Sequence, residues 1–208
     1  MNEIIANIGY VFLTINLILL LKGFSSNGKA FKIFTIYTII IFIIQLISNI
    51  LFRCRMNNLF LSHAYFVLQF VILSFFYLEI LKTKMQKKTV LLFLFLCPLL
   101  LAIQYANEPS LFFKFNLFEI FITSFLLVIY AVFHLYNMLN EKKVFYYINL
   151  GILIYLFGST ILFLVGNLMI HFSSELNKYT WILNSLLYVI YQLFILFECN
   201  RILRKQWT

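Results

Sequence analysis

Aspartate is absent from this chain, and charged residues of all kinds make up only 11% of its 208 positions. A water-soluble domain carries about 25% charge, so too few charges are present here to clothe a soluble surface. Without aspartate, paired-aspartate intramembrane proteolysis is excluded. Six glycines, two prolines and three cysteines leave little material for nucleotide-binding turns or a disulfide scaffold. No Walker loop, HExxH, GxSxG, CxxC or dinucleotide turn occurs. Positions 179–200 hold no lysine for a retinal Schiff base. Residues 1–105 and 106–208 share no internal repeat, and Pro98 has no counterpart in the second half, so an inverted-repeat transporter is not supported.

What is present is apolar. Hydrophobic residues make up 63%, Phe alone occurs 26 times, and the mean hydropathy is +0.97. The chain reads as an integral membrane protein: all-α, a polytopic bundle of seven transmembrane helices forming a single domain over 1–208 with no soluble domain. A spanning helix takes about 20 apolar residues. The blocks run over 3–21, 32–52, 60–81, 90–105, 115–138, 144–170 and 179–200. The fourth is the shortest and carries Pro98, and dropping it leaves an alternative of six. The first block begins with Glu3 instead of a basic stretch and lacks a small-residue cleavage site, so it reads as a retained helix.

Lys and Arg orient the spans. Twelve of the sixteen fall in the first, third and fifth loops and the C-terminal tail, and four (Arg53, Arg55, Lys114 and Lys178) fall on the other side. The richer side is therefore expected in the cytoplasm, with the N-terminus out, the C-terminus in, and the protein multi-pass in the cell inner membrane. Scattering over short loops also accounts for the +9 net charge without a nucleic-acid partner, which would want basic residues interleaved with stacking aromatics. The expected partners are the lipid bilayer and a cytoplasmic or membrane protein such as a kinase. No cofactor or metal is expected, and the oligomeric state is open. Cys54, Cys97 and Cys199 lie at different depths, too far apart to bridge.

Helical periodicity sorts the polar residues into stripes. Glu119, Thr123, Tyr130 and His134 share a face of the fifth span, Asn184, Tyr188, Tyr191, Gln192 and Glu198 one of the seventh, and Thr38, Gln45 and Asn49 one of the second. In the sixth, Gly151, Gly158 and Gly166 form a helix-packing seam, with Asn149, Thr160 and Asn167 nearly opposite. Small residues let helices approach, and polar ones tie helices together. The sharper reading gathers Glu119, Asn184, Asn167, Asn49, Gln45 and Thr123 into a ligand-binding polar pocket open to the outside. Glu119 leads, because a carboxylate within a span is costly unless paired, protonated or wetted; Lys114 is its candidate neutralising partner. Glu79 and Glu198 read as interfacial ion pairs with Lys82 and Arg201, His134 as structural, and His63 and His171 as rim residues able to meet a ligand or a metal.

The runs FYYINLGILIYLFGSTILFLVGN (145–167) and WILNSLLYVIYQLFILFECNRILRKQ (181–206) resemble a set of small, uncharacterised seven-helix membrane proteins common in Bacteroidota. The aromatic-rich INxGxLIYxxG pattern and the Trp-initiated last helix carry the resemblance. Members often place a Pro ahead of that aromatic cluster, where this chain has Lys142, Lys143 and Val144. The resemblance implies an inner-membrane bundle and supplies no catalytic residues. The expected function is a sensory or regulatory module that signals to a separate partner chain. A small-molecule transporter, with Asn16, His134, Asn149 and Gln192 completing its path, is the alternative, followed by a structural or assembly subunit and, more weakly, a lipid-modifying enzyme with no identifiable nucleophile.

Single cysteines at Ser26, Lys87 or Lys205 should resist an impermeant thiol reagent in intact cells, and one at Ser174 should react. The opposite pattern would invert the orientation.

Overall fold

Hydrocarbon offers backbone amides no partner, so a spanning segment must satisfy them internally as a helix or a closed barrel. This chain takes the helical solution. The computed structural model describes residues 2–139, 143–169 and 174–204, with the side chains of 2, 3, 167–169 and 174–178 left aside. Among the described residues, seven α-helices and one short 3-10 turn follow one another: α1 (Asn2–Lys22), α2 (Lys29–Arg53), α3 (Phe60–Ile80), α4 (Lys84–Asn107), the turn Pro109–Phe113, α5 (Leu117–Asn137), α6 (Tyr146–Met169) and α7 (Ser174–Arg204). No strand occurs among the described residues. All seven helices are long and apolar enough to cross a membrane, which makes the chain a multi-pass membrane protein.

Helix ends depart from the apolar blocks where a helix runs on into polar sequence. The fourth span is a full helix of 24 residues. It begins at Lys84 because the Thr83 side chain accepts a hydrogen bond from the Gln86 amide at 3.3 Å, capping the polar turn Lys84-Met85-Gln86-Lys87. Hydropathy alone cannot see that turn. Pro98 sits inside this helix, where it withholds one backbone donor. The connection after α4 is also structured, since Pro109 opens the 3-10 turn. The last helix starts at Ser174, within the stretch read as a polar connection.

The helices fall into two units, one of residues 28–133 and the other of residues 1–27 and 134–208. In the first, α3 packs against α2 and α4, and the 3-10 turn lies against α3 and α4. Aromatic rings fill this unit: Phe34 contacts Phe76 at 5.5 Å between ring centroids, and Tyr77 meets Tyr130 of α5 at 5.9 Å. Lys29 at the start of α2 donates to Glu79 near the end of α3 at 2.5 Å. Glu79 was expected to form an ion pair near the interface with Lys82, three residues on; the neighbouring helix supplies Lys29 as a partner.

In the second unit α7 lies between α1 and α6. Asn16 Nδ2 of α1 donates to the backbone oxygen and to Oε1 of Gln192, at 2.8 and 2.9 Å. Tyr155 of α6 stacks on Tyr191 of α7, with centroids 5.2 Å apart. At the other junction Glu198 binds Arg201 at 2.5 Å, as its spacing suggests, and also accepts from the Tyr147 amide at 2.7 Å. That carboxylate therefore satisfies one of the open amides in the first turn of α6. Nearby, His134 Nε2 lies 2.9 Å from the Val144 oxygen.

Glycine spacing on α6 matches the side chains of α7. A Cβ at Gly151 would lie 2.9 Å from Phe194 Cβ and 3.0 Å from Tyr191 Cδ2. At Gly158 it would meet Leu187 Cδ1 at 2.7 Å, and at Gly166 Thr180 Cγ2 at 3.0 Å. The Leu187 methyl is the end of a flexible chain and can turn away, whereas Phe194 Cβ is anchored to its backbone. Gly151→Ala should therefore lower the melting temperature in detergent more than Gly158→Ala. Gly158→Leu, which overfills the same gap, should destabilise by about 1–3 kcal/mol; an unchanged melt would mean that α6 and α7 do not pack closely there.

Candidate functional site

The first turn of α5 is built around the sequence Asn116-Leu-Phe-Glu119. Asn116 precedes the helix, and its Oδ1 accepts from the Glu119 amide at 3.3 Å, the cap expected of Asn three residues before Glu. This fixes Glu119 at the positive end of the helix dipole with its side chain fully buried at 0% exposure.

Two side chains from other helices meet that carboxylate. His63, in the first turns of α3, places Nδ1 3.2 Å from Glu119 Oε1. Tyr105, in the last turn of α4, hydrogen-bonds through its hydroxyl to Glu119 Oε2. The same hydroxyl lies 2.7 Å from His63 Nδ1, so His63, Tyr105 and Glu119 close a triangle. Asn116 Nδ2 supports it by donating to the Tyr105 hydroxyl at 3.2 Å and to Gln104 Oε1 at 3.0 Å. Phe112 of the 3-10 turn covers the imidazole, stacked at 5.6 Å. His63 is 5% exposed, and its Nε2 has no hydrogen-bond partner.

Every polar atom of the three side chains is therefore engaged except that nitrogen. A carboxylate and an imidazole paired in this way can share a proton, and the carboxylate orients the ring so that Nε2 points away from it. Among the described residues no three His, Cys or Glu side chains gather closely enough to hold a metal ion.

The residues singled out in the sequence are distributed as follows. Glu119 and Thr123 share one face of α5, but the Thr123 hydroxyl donates to the Glu119 backbone oxygen at 2.7 Å. Gln45 and Asn49 lie half-buried on α2, and Asn49 accepts from Arg53 at 2.9 Å. Asn184 lies half-buried on α7, in the other unit, with Oδ1 unpartnered. The side chain of Asn167, like His171, lies outside the described residues. Lys114 does not neutralise Glu119: it is exposed and donates to Ser110 at 3.3 Å, because the 3-10 turn carries it outward. His63, read as a rim residue, is instead buried and is the side chain that meets Glu119 from α3.

Sequence reading missed Tyr105, Gln104 and Asn116. The Asn-x-x-Glu spacing was a legible signal for the cap. Nothing in the sequence marked Tyr105 among thirteen tyrosines. The chain matches no family model, no curated protein and no solved structure.

Because the three side chains share their partners, their contributions should be non-additive. In detergent melts, Glu119→Gln and Tyr105→Phe should each destabilise, and the double variant should lose less than the sum, with a coupling of about 0.5–3 kcal/mol. Strict additivity would mean that the triangle is not a unit.

Proposed function

We propose that this protein is a sensory or regulatory module of the cell inner membrane, with the triangle of Glu119, His63 and Tyr105 as its receiving site. The observation that carries this reading is the burial of a paired carboxylate within a spanning helix. Such a group is costly in hydrocarbon and is by default a mark of function. The other buried carboxylate, Glu198, is met by the fixed charge of Arg201 and by a backbone amide, whereas Glu119 is met by an imidazole and a phenol.

The Lys and Arg distribution favours placing the triangle at the outer face, because it lies at the ends of α3, α4 and α5 nearest the lysine-poor loops. The connections between the helices are too short to form an output domain, and in this reading the signal passes by helix movement to a cytoplasmic partner such as a kinase. The resemblance to Bacteroidota seven-helix proteins agrees with that membrane. The transporter reading draws on a different observation: Asn16, Asn149 and Gln192 are fully buried in the other unit, a polar interior that a permeation path would use.

Native isolation in mild detergent should bring down a cytoplasmic signalling protein. Glu119→Gln should keep the fold and that partner but abolish the partner's change in activity upon stimulation. Isolation of the protein alone, together with solute flux into proteoliposomes that Glu119→Gln stops, would overturn the sensory reading in favour of transport.

A further inference from the structure

We propose that His63, Tyr105 and Glu119 form a proton-exchange site, in which the Tyr105 hydroxyl passes a proton between the carboxyl and the imidazole and His63 Nε2 is the atom through which it enters and leaves. The geometry admits two proton arrangements with the same heavy-atom contacts. In one, the Glu119 carboxyl is protonated and donates to the Tyr105 oxygen, Tyr105 donates to His63 Nδ1 at 2.7 Å, and the imidazole carries its hydrogen on Nε2.

In the transfer step the Glu119 O–H bond breaks and Tyr105 gains that hydrogen. Tyr105 at the same time releases its own hydrogen to His63 Nδ1. The products are a carboxylate, a neutral phenol and an imidazolium, with no change in total charge. Loss of the Nε2 hydrogen to water then leaves a carboxylate and a neutral imidazole. That imidazole donates from Nδ1 to the Tyr105 oxygen and to Glu119 Oε1, 3.2 Å away, and Tyr105 donates to Glu119 Oε2. Reversal takes a proton up.

Two further features fit this role. Asn116 donates to the Tyr105 oxygen at 3.2 Å in either arrangement, holding the hydroxyl between its two partners while its hydrogen changes direction. Nε2 is buried and unpartnered, and the Phe112 ring stacked on its imidazole is itself 45% exposed on the 3-10 turn. A shift of that ring would admit a water molecule. Of the other ionisable groups, Cys97 of α4 is buried. Arg53 of α2 is engaged with Asn49, and Glu108 and Lys114 are exposed and share Ser110.

The inference rests on the sensory reading for its meaning, since it makes the proton the stimulus, but not for its chemistry. It is tested on the purified full chain in lipid nanodiscs, without a partner, by infrared difference spectra between acid and neutral pH and by ring-carbon resonances of labelled histidine, the His63 signal being assigned with His63→Gln. The expected result is a protonated-carboxyl band, lost in Glu119→Gln, that titrates in step with the His63 resonance. Tyr105→Phe, which keeps the ring and removes only the hydroxyl, should separate the two titrations. Phe112→Ala should speed exchange at His63 several-fold without moving its midpoint. Independent titration of the two groups in the parent protein, or joint titration that persists in Tyr105→Phe, would overturn the relay. Neither outcome bears on whether a cytoplasmic partner co-purifies.

Discussion

Hydrocarbon cannot hydrogen-bond, and each polar group in this chain must therefore bring or find its own partner. The backbone meets that demand within helices. Hydroxyl side chains follow the same logic at short range: Thr35 donates to the Phe31 oxygen at 2.8 Å, Thr38 to Phe34 at 3.0 Å and Ser185 to Trp181 at 2.9 Å. These residues can occupy a spanning helix because the turn before them supplies the acceptor. Longer polar side chains can reach a second helix, as Asn16 of α1 reaches Gln192 of α7.

Carboxylates place the strongest form of this demand, and the chain answers it in three ways. Glu79 sits near a helix end and meets a lysine that is itself largely exposed, with side-chain exposures of 32% and 74%. Such a pair contributes little to stability. Glu198 is buried but serves as both an ion-pair partner and a cap for α6, so its charge is met by Arg201 and by a backbone amide. Glu119, by contrast, is buried against an imidazole and a phenol. Neither neighbour carries a fixed charge, and the protonation of this cluster is therefore a property of the whole triangle.

Packing between helices depends on a different resource. Lipid tails are as apolar as Leu and Phe, so burial of apolar surface does not by itself hold spanning helices together. Close approach does. The glycines of α6 admit Phe194, Leu187 and Thr180 of α7, and the Tyr155–Tyr191 stack lies alongside. Many large apolar residues point outward instead, among them Phe95 at 71% and Phe52 at 69% exposure. In water such a surface would aggregate; in a bilayer it is the solvated face.

Much of this was determined by the sequence alone. Composition dictated a membrane protein, hydropathy located seven helices to within a few residues except at the polar turns of α4 and α7, and the 3.6-residue period put Glu119, Thr123, Tyr130 and His134 on one face that is buried throughout. These are properties of single helices, and a single segment suffices to encode them. The partners of Glu119 are not. His63 and Tyr105 lie 56 and 14 residues away in sequence, on helices whose rotation and height are set by packing. Lys114, five positions from Glu119, was the nearest cation along the chain, yet a five-residue 3-10 turn carried it outward. Only the tertiary structure could decide between them, because spacing along the sequence measures distance within a helix and says nothing about distance between helices.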